Sequence, residues 1–155
     1  MDSESTAADV YTSALCASTL ATLSDQYDLD ADRAISWLQT QVGPDGLLPG
    51  FRLHSTWIAL PAFTKMLGHK SKTTRRMIVG LAEKLSPEWE ASMIAWMLNS
   101  LIDAGYRRTT QLVERSLELL GTMQRPDGSW GSEDEGGDVQ ATLMAIRAAR
   151  RLGIR

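Results

Sequence analysis

The sequence predicts an all-α fold of about seven helices, arranged as repeating helical hairpins. Three observations predict it. Helix-starting and helix-stopping residues recur along the whole chain, whereas strand-like alternation persists nowhere for more than a few residues. An octapeptide, QRPDGSWG at 124–131, has a weaker copy, QVGPDGLL at 41–48, so the chain contains a repeat. Apolar helices also alternate with amphipathic, charged ones, as a layer of hairpins requires when inner helices are covered on more sides than outer ones. A chain of 155 residues can build one real core, and residues 1–155 are read as a single helical-repeat domain.

Each element has local support. The first helix is expected over 8–23 and the second over 31–41, with Asp30 as its N-cap. The third covers 54–67 and stops at Gly68; the fourth covers 72–85. Ser86, Pro87 and Glu88 read as cap, first helical residue and dipole partner of a fifth helix that Gly105 ends. The sixth is expected over 108–123 and the seventh over 139–152. Their connections are short apart from the two Pro-Asp-Gly turns and the acidic loop GSEDEGGD, so successive helices should be antiparallel.

Composition narrows the function classes. A net charge of -3 provides no basic footprint for nucleic acid, and 43% hydrophobic residues is ordinary for a globular chain. The opening MDSESTAADV lacks the pattern of a secretory signal, and no apolar run approaches the ~20 residues of a membrane span. A cytoplasmic location is the expectation. Cys16 is the sole cysteine and is read as a small buried apolar residue, which leaves no internal disulfide and no cysteine-based zinc site.

Aligning helices one, three, five and seven shows a shared design: DVYTSALCASTLATL, RLHSTWIALPAFTKMLG, EWEASMIAWMLNSLIDAGY and DVQATLMAIRAARRLGI each have a pair of small residues near the start and then an apolar stretch. Gln124, Gly128 and Trp130 match the Gln-x(2-5)-Gly-x-Trp repeat, and in this the chain resembles squalene-hopene cyclases and other terpene cyclases, related in fold to protein prenyltransferases. The resemblance is strongest over 86–153. It implies a partial α/α toroid whose inner helices surround a lumen. The turn then acts as structural glue: the Gln124 amide ties loop to helix end and Trp130 covers the junction, while the first copy, with Leu48 in place of Trp, is a degraded version. Seven helices make little more than half such a ring, so a homodimer or a partner subunit is expected to complete it.

The same alignment selects candidate site residues. Tyr11, His54, Glu90 and Gln140 share one register at the helix openings, two residues after Asp9, Arg52, Glu88 and Asp138. In the class II cyclases that the chain resembles, this opening carries Asp-x-Asp-Asp, whose middle Asp is the proton donor. The segment DVQA keeps Asp138 but has Gln140 and Ala141, so ordinary class II chemistry at the seventh helix is not expected. Asp28 to Asp32 (DLDAD) is read as capping rather than as a metal motif, and the Glu133–Glu135 acids as a solvated turn. A prenyltransferase-type zinc element would need Cys where Tyr11 stands. No metal and no cofactor is expected.

Glu90 is the candidate acid. Beside Trp89, Met93, Trp96 and Met97, desolvation would raise its pKa and make it a proton donor or base. His54, one turn before Trp57, is the candidate shuttle, with Tyr11 assisting. Asp9, Trp57, Met93, Trp96, Met97, Asp138, Gln140 and Met144 are the candidate substrate contacts. Five tryptophans and seven methionines suit an apolar lumen in which aromatic faces stabilise cations, but Met and Trp stripes at helical spacing are core more often than pocket. Glu90 and Glu88 are equally read as residues favouring a helix N-terminus, and His54 as a cap or a solvent-facing residue. The resemblance thus implies a non-standard cyclase that folds an isoprenoid, polyene or polyketide-like substrate for ring closure. The alternatives are a non-catalytic module that binds a hydrophobic ligand or completes a toroid with a partner, and a plain repeat scaffold.

Overall fold

The computed structural model describes residues 3–23, 25–132 and 136–154, with side chains from residue 9 onward. Among these residues it is all-α: α1 (Ser3–Leu23), a 3-10 turn (Asp25–Tyr27), α2 (Asp28–Gln41), α3 (Arg52–Leu67), α4 (Lys72–Lys84), α5 (Ala91–Asp103), α6 (Gln111–Thr122) and α7 (Val139–Arg151). Among the described residues the only strands are β1 (Gly131–Ser132) and β2 (Gly136–Gly137), a two-residue antiparallel ribbon. The helices gather into two compact units, residues 1–84 and 85–155.

In the first unit α1 packs along α3 and against α2, and α3 in turn carries α4. Val10, Ala14, Ala17 and Ala21 form the buried stripe of α1. Their helical spacing puts small side chains on one face and lets a neighbouring backbone approach closely. The buried residues of α3 run almost unbroken from Ser55 to Thr64, with Trp57 and Phe63 fully enclosed. Lys65 Nζ donates to Ala21 O at 2.6 Å and meets the Asp28 carboxylate at 3.1 Å, joining the C-terminal end of α1 to the start of α2.

The second unit repeats the plan with three helices: α5 packs on α7 and on α6. Helix α5 buries Ala91, Ile94, Ala95 and the whole run Met97–Ile102, whereas α7 meets it through Ala141, Ala145 and Ala148. Asn99 Nδ2 donates to Ala95 O (2.9 Å) and across to Met144 O (3.0 Å), and Arg151 reaches Asp103 at 2.6 Å. Helix α5 closes with paired bonds from Tyr106 N–H to Leu101 O and Gly105 N–H to Ile102 O, the stop expected of Gly105. In both units odd-numbered helices pack on one another and even-numbered ones lie against them.

Four local expectations are corrected. Helix α2 starts at Asp28, so Asp30 lies in its first turn and Tyr27 holds the cap position. Ser86 does not start α5: Glu88 N–H donates to its hydroxyl (3.2 Å) and Trp89 N–H to its carbonyl (3.1 Å), closing a separate turn, and the helix begins after Glu90. Cys16 is exposed, because it lies off the Ala14–Ala17 stripe that α1 buries. Helix α6 starts at Gln111, three residues after the expected Arg108.

Candidate functional site

The two Pro-Asp-Gly segments fold alike. Gly46 N–H donates to Gly43 O (3.0 Å) and Gly43 N–H to Leu47 O (2.9 Å); in the second copy Gly128 N–H donates to Arg125 O (2.8 Å) and Arg125 N–H to Ser129 O (2.9 Å). Asp45 and Asp127 each accept from the backbone N–H two residues on, at 3.2 and 3.0 Å. Gly46 and Gly128 stand at φ +83° and +87°, the left-handed position that a three-residue hairpin loop gives to glycine. Beyond the turns, Leu48 N–H donates to Thr56 Oγ1 and Trp130 N–H to Thr142 Oγ1, both at 2.9 Å. Leu48 and Trp130 are therefore equivalent, and the longer spacing in the second copy accommodates the β1–β2 excursion. In this register Val42, not Gln41, stands where Gln124 does.

In the second turn it is Trp130, and not the Gln124 amide, that ties the loop to a helix. Gln124 Nε2 donates to Gly128 O at 3.0 Å, and Trp130 Nε1 donates to Leu120 O of α6 at 2.7 Å. Beside it lies a groove of about 940 Å³ between α6 and α7. Leu117 and Leu120 line it from α6, Trp130 from the turn, and Ala145, Ile146 and Ala149 from α7; Gln124 and Arg150 add polar groups. No acid lines it.

A second depression, of about 620 Å³, lies at the openings of α5 and α7 and brings together Glu88, Trp89, Glu90, Ser132 and Asp138. Two members of the shared register region, Glu90 and Asp138, thus meet within one unit. Their environment differs from the expectation. Glu90 is exposed at the cap position of α5, and among the described residues its carboxylate accepts a long bond from Ser92 Oγ (3.4 Å), so it is not enclosed by apolar side chains as expected. Asp138 Oδ1 is engaged by Gln140 N–H (2.7 Å) and Ala141 N–H (3.1 Å) as the N-cap of α7. Gln140 is exposed; Met93, Trp96 and Met144 are half-buried; Met97 is fully enclosed in the core of α5 rather than open to a ligand.

The remaining candidates belong to the first unit. His54 tilts against Trp57 with ring centroids 4.6 Å apart, and burial holds its pKa below the usual 6.5. Trp57 is wholly buried, so it serves the core. Tyr11 packs edge-on against Phe51 at 5.7 Å, and Asp9 is exposed. The Glu133–Glu135 acids lie outside the described residues. Among the described residues no group of three or more His, Cys, Asp or Glu side chains is placed to hold a metal, and no helix is long and apolar enough to cross a membrane. Sequence reading missed Thr56 and Thr142, whose signal was a threonine at a fixed place after each turn, offset by the acidic insertion. It also missed Arg76 and Gly80 of α4, which carried no signal without the fold. Comparison with protein-family models, curated proteins and solved structures found no match.

Proposed function

We propose that this chain is a helical-repeat binding and assembly module that takes an apolar guest in the groove between α6 and α7. The observation that carries this reading is the groove itself: helix-lined, apolar, walled by one half-buried tryptophan and, among the described residues, bearing a single charged group, Arg150. Such a surface binds by desolvation and aromatic contact; among the described residues it has no carboxylate, histidine or thiol to donate or abstract a proton. A saturating titration with the apolar dye 8-anilinonaphthalene-1-sulfonate tests it. One site per chain is expected, weakened about tenfold by Ile146→Glu, which places a charge in the wall. Absence of saturable binding sinks the reading.

One observation favours a second reading, the cyclase that the resemblance to terpene cyclases implies. The depression that collects Glu88, Glu90 and Asp138 lies at helix openings, as a substrate-activating acid would, and Trp89 supplies a cation-tolerant face. On this reading Glu90 donates the proton, and a homodimer or partner encloses the polyene. Product analysis after incubation with an extended polyene decides it: turnover lost in Glu90→Gln supports a cyclase, and no turnover by the wild type retires it.

A further inference from the structure

The first unit shows how a helix seats on a Pro-Asp-Gly turn. In the first unit α4 crosses the Pro-Asp-Gly turn at close range: a Cβ on Gly46 would lie 2.0 Å from Arg76 O, and one on Gly80 would lie 2.3 Å from Asp45 O. Arg76 Nη2 donates to Gly43 O at 2.7 Å, and Gln39 of α2 donates to Thr73 of α4 at 3.0 Å. Thr74, Met77, Gly80 and Leu81 are the buried face of α4. The second unit has the equivalents of α1, α2, the turn and α3, but no counterpart of α4 among the described residues. There a Cβ on Gly128, or on Gly121 where Gln39 stands in the first copy, would meet nothing within 4 Å. Ile146, in the wall of the groove, is 37% exposed.

We infer that the groove is the seat of one amphipathic helix from outside residues 1–155 and not from a second copy of them, which takes on α6, α7 and the second turn the place that α4 takes in the first unit. This rests on the docking reading of the groove and names the guest. The template fixes the chemistry of that helix. It carries an apolar stripe, a glycine where it crosses Asp127, as Gly80 crosses Asp45, and a basic residue four positions earlier that reaches Arg125 O as Arg76 reaches Gly43 O. Arg150 lines the groove and makes no ion pair among the described residues, so a carboxylate on the incoming helix completes the match. A second copy has no such helix to spare, because α2, α4 and α6 are each packed within their own unit.

The test uses the intact protein and a fluorescein-labelled peptide of residues 70–85, the sequence of α4 itself, read by anisotropy. Saturable one-to-one binding is expected, weakened about tenfold or more by Ile146→Glu in the protein and equally by Gly80→Leu in the peptide. The peptide change leaves the protein untouched, so a folding defect in Ile146→Glu, checked by circular dichroism, cannot imitate the result. Binding indifferent to both changes overturns the inference, as does a dimer that Ile146→Glu dissolves, which would make a second copy the occupant. If the peptide fails while the dye still binds in an Ile146→Glu-sensitive way, the helix is refuted and the apolar-guest reading stands. If both fail, both fall.

Discussion

Substituting alanine for each turn glycine separately measures what α4 contributes to the first unit. Gly46 and Gly128 share a turn, a hydrogen-bond pattern and a backbone angle within a few degrees, and differ in what lies above them. In Gly128→Ala the new methyl enters open space, so the cost is that of a left-handed L-residue, roughly 1–2 kcal/mol. Gly46→Ala carries the same cost and also drives Cβ to 2.0 Å from the Arg76 carbonyl, a backbone atom that moves only if α4 moves. Overpacking of that kind adds about 1–3 kcal/mol, for a total of about 2–5 kcal/mol. Native-state hydrogen exchange read by mass spectrometry assigns the loss to each unit separately, which a single urea midpoint cannot do if the units unfold independently. Protection should fall further in α2–α4 of Gly46→Ala than in α6–α7 of Gly128→Ala. Equal losses, within about 0.5 kcal/mol, would refute the seating of α4 on the first turn and with it the template for the second.

Two other expectations follow from single contacts. Asp138→Ala removes the cap that holds Gln140 N–H and Ala141 N–H and should destabilise the second unit by about 1 kcal/mol, with Asp138→Asn close to wild type; urea unfolding of both variants checks it, and a neutral Asp138→Ala would contradict the capping assignment. Burial lowers the pKa of His54, so the folded state disfavours its charged form: this residue's contribution to stability is full above the unfolded pKa near 6.5 and declines as pH falls through the lowered folded value. An NMR titration of the His54 ring should have its midpoint below 6.5, and a midpoint at or above that value would contradict its packing.

What could be read from the sequence was what local chemistry decides. Pro, Asp and Gly in succession set an angle, an Asx bond and a left-handed residue, so both turns were legible, and Gly105 announced the end of α5. The start of α5 was not, because Ser86-Pro87-Glu88 satisfies the rules of a helix cap and of an isolated turn equally well; the choice falls to Glu90, whose ψ of 146° keeps the chain extended until Ala91. That Glu90 and Asp138 both stand at helix openings was legible in the sequence alignment, which set them two places apart in register, and the structure does bring them to one depression. Their exposure was not, since burial belongs to the neighbours and not to the residue.

The difference between the two repeat copies now has a physical meaning. Leu48 reads as decay of a tryptophan motif when sequences alone are compared. In the structure Leu47 and Leu48 are both buried, and Leu47 lies 3.1 Å from where a Cβ on Gly80 would stand. A turn covered by its own helix is sealed by close-packed aliphatic side chains. The open copy instead has Trp130, half-buried, held by its indole N–H to Leu120 O and presenting ring surface to the groove. Tryptophan suits that position because it anchors one edge by a hydrogen bond and offers its face to an incoming apolar partner. The covered copy contains the leucine and the helix, and the open copy contains the tryptophan and the groove, so residue and vacancy vary together as they should if the second copy is built to receive a guest.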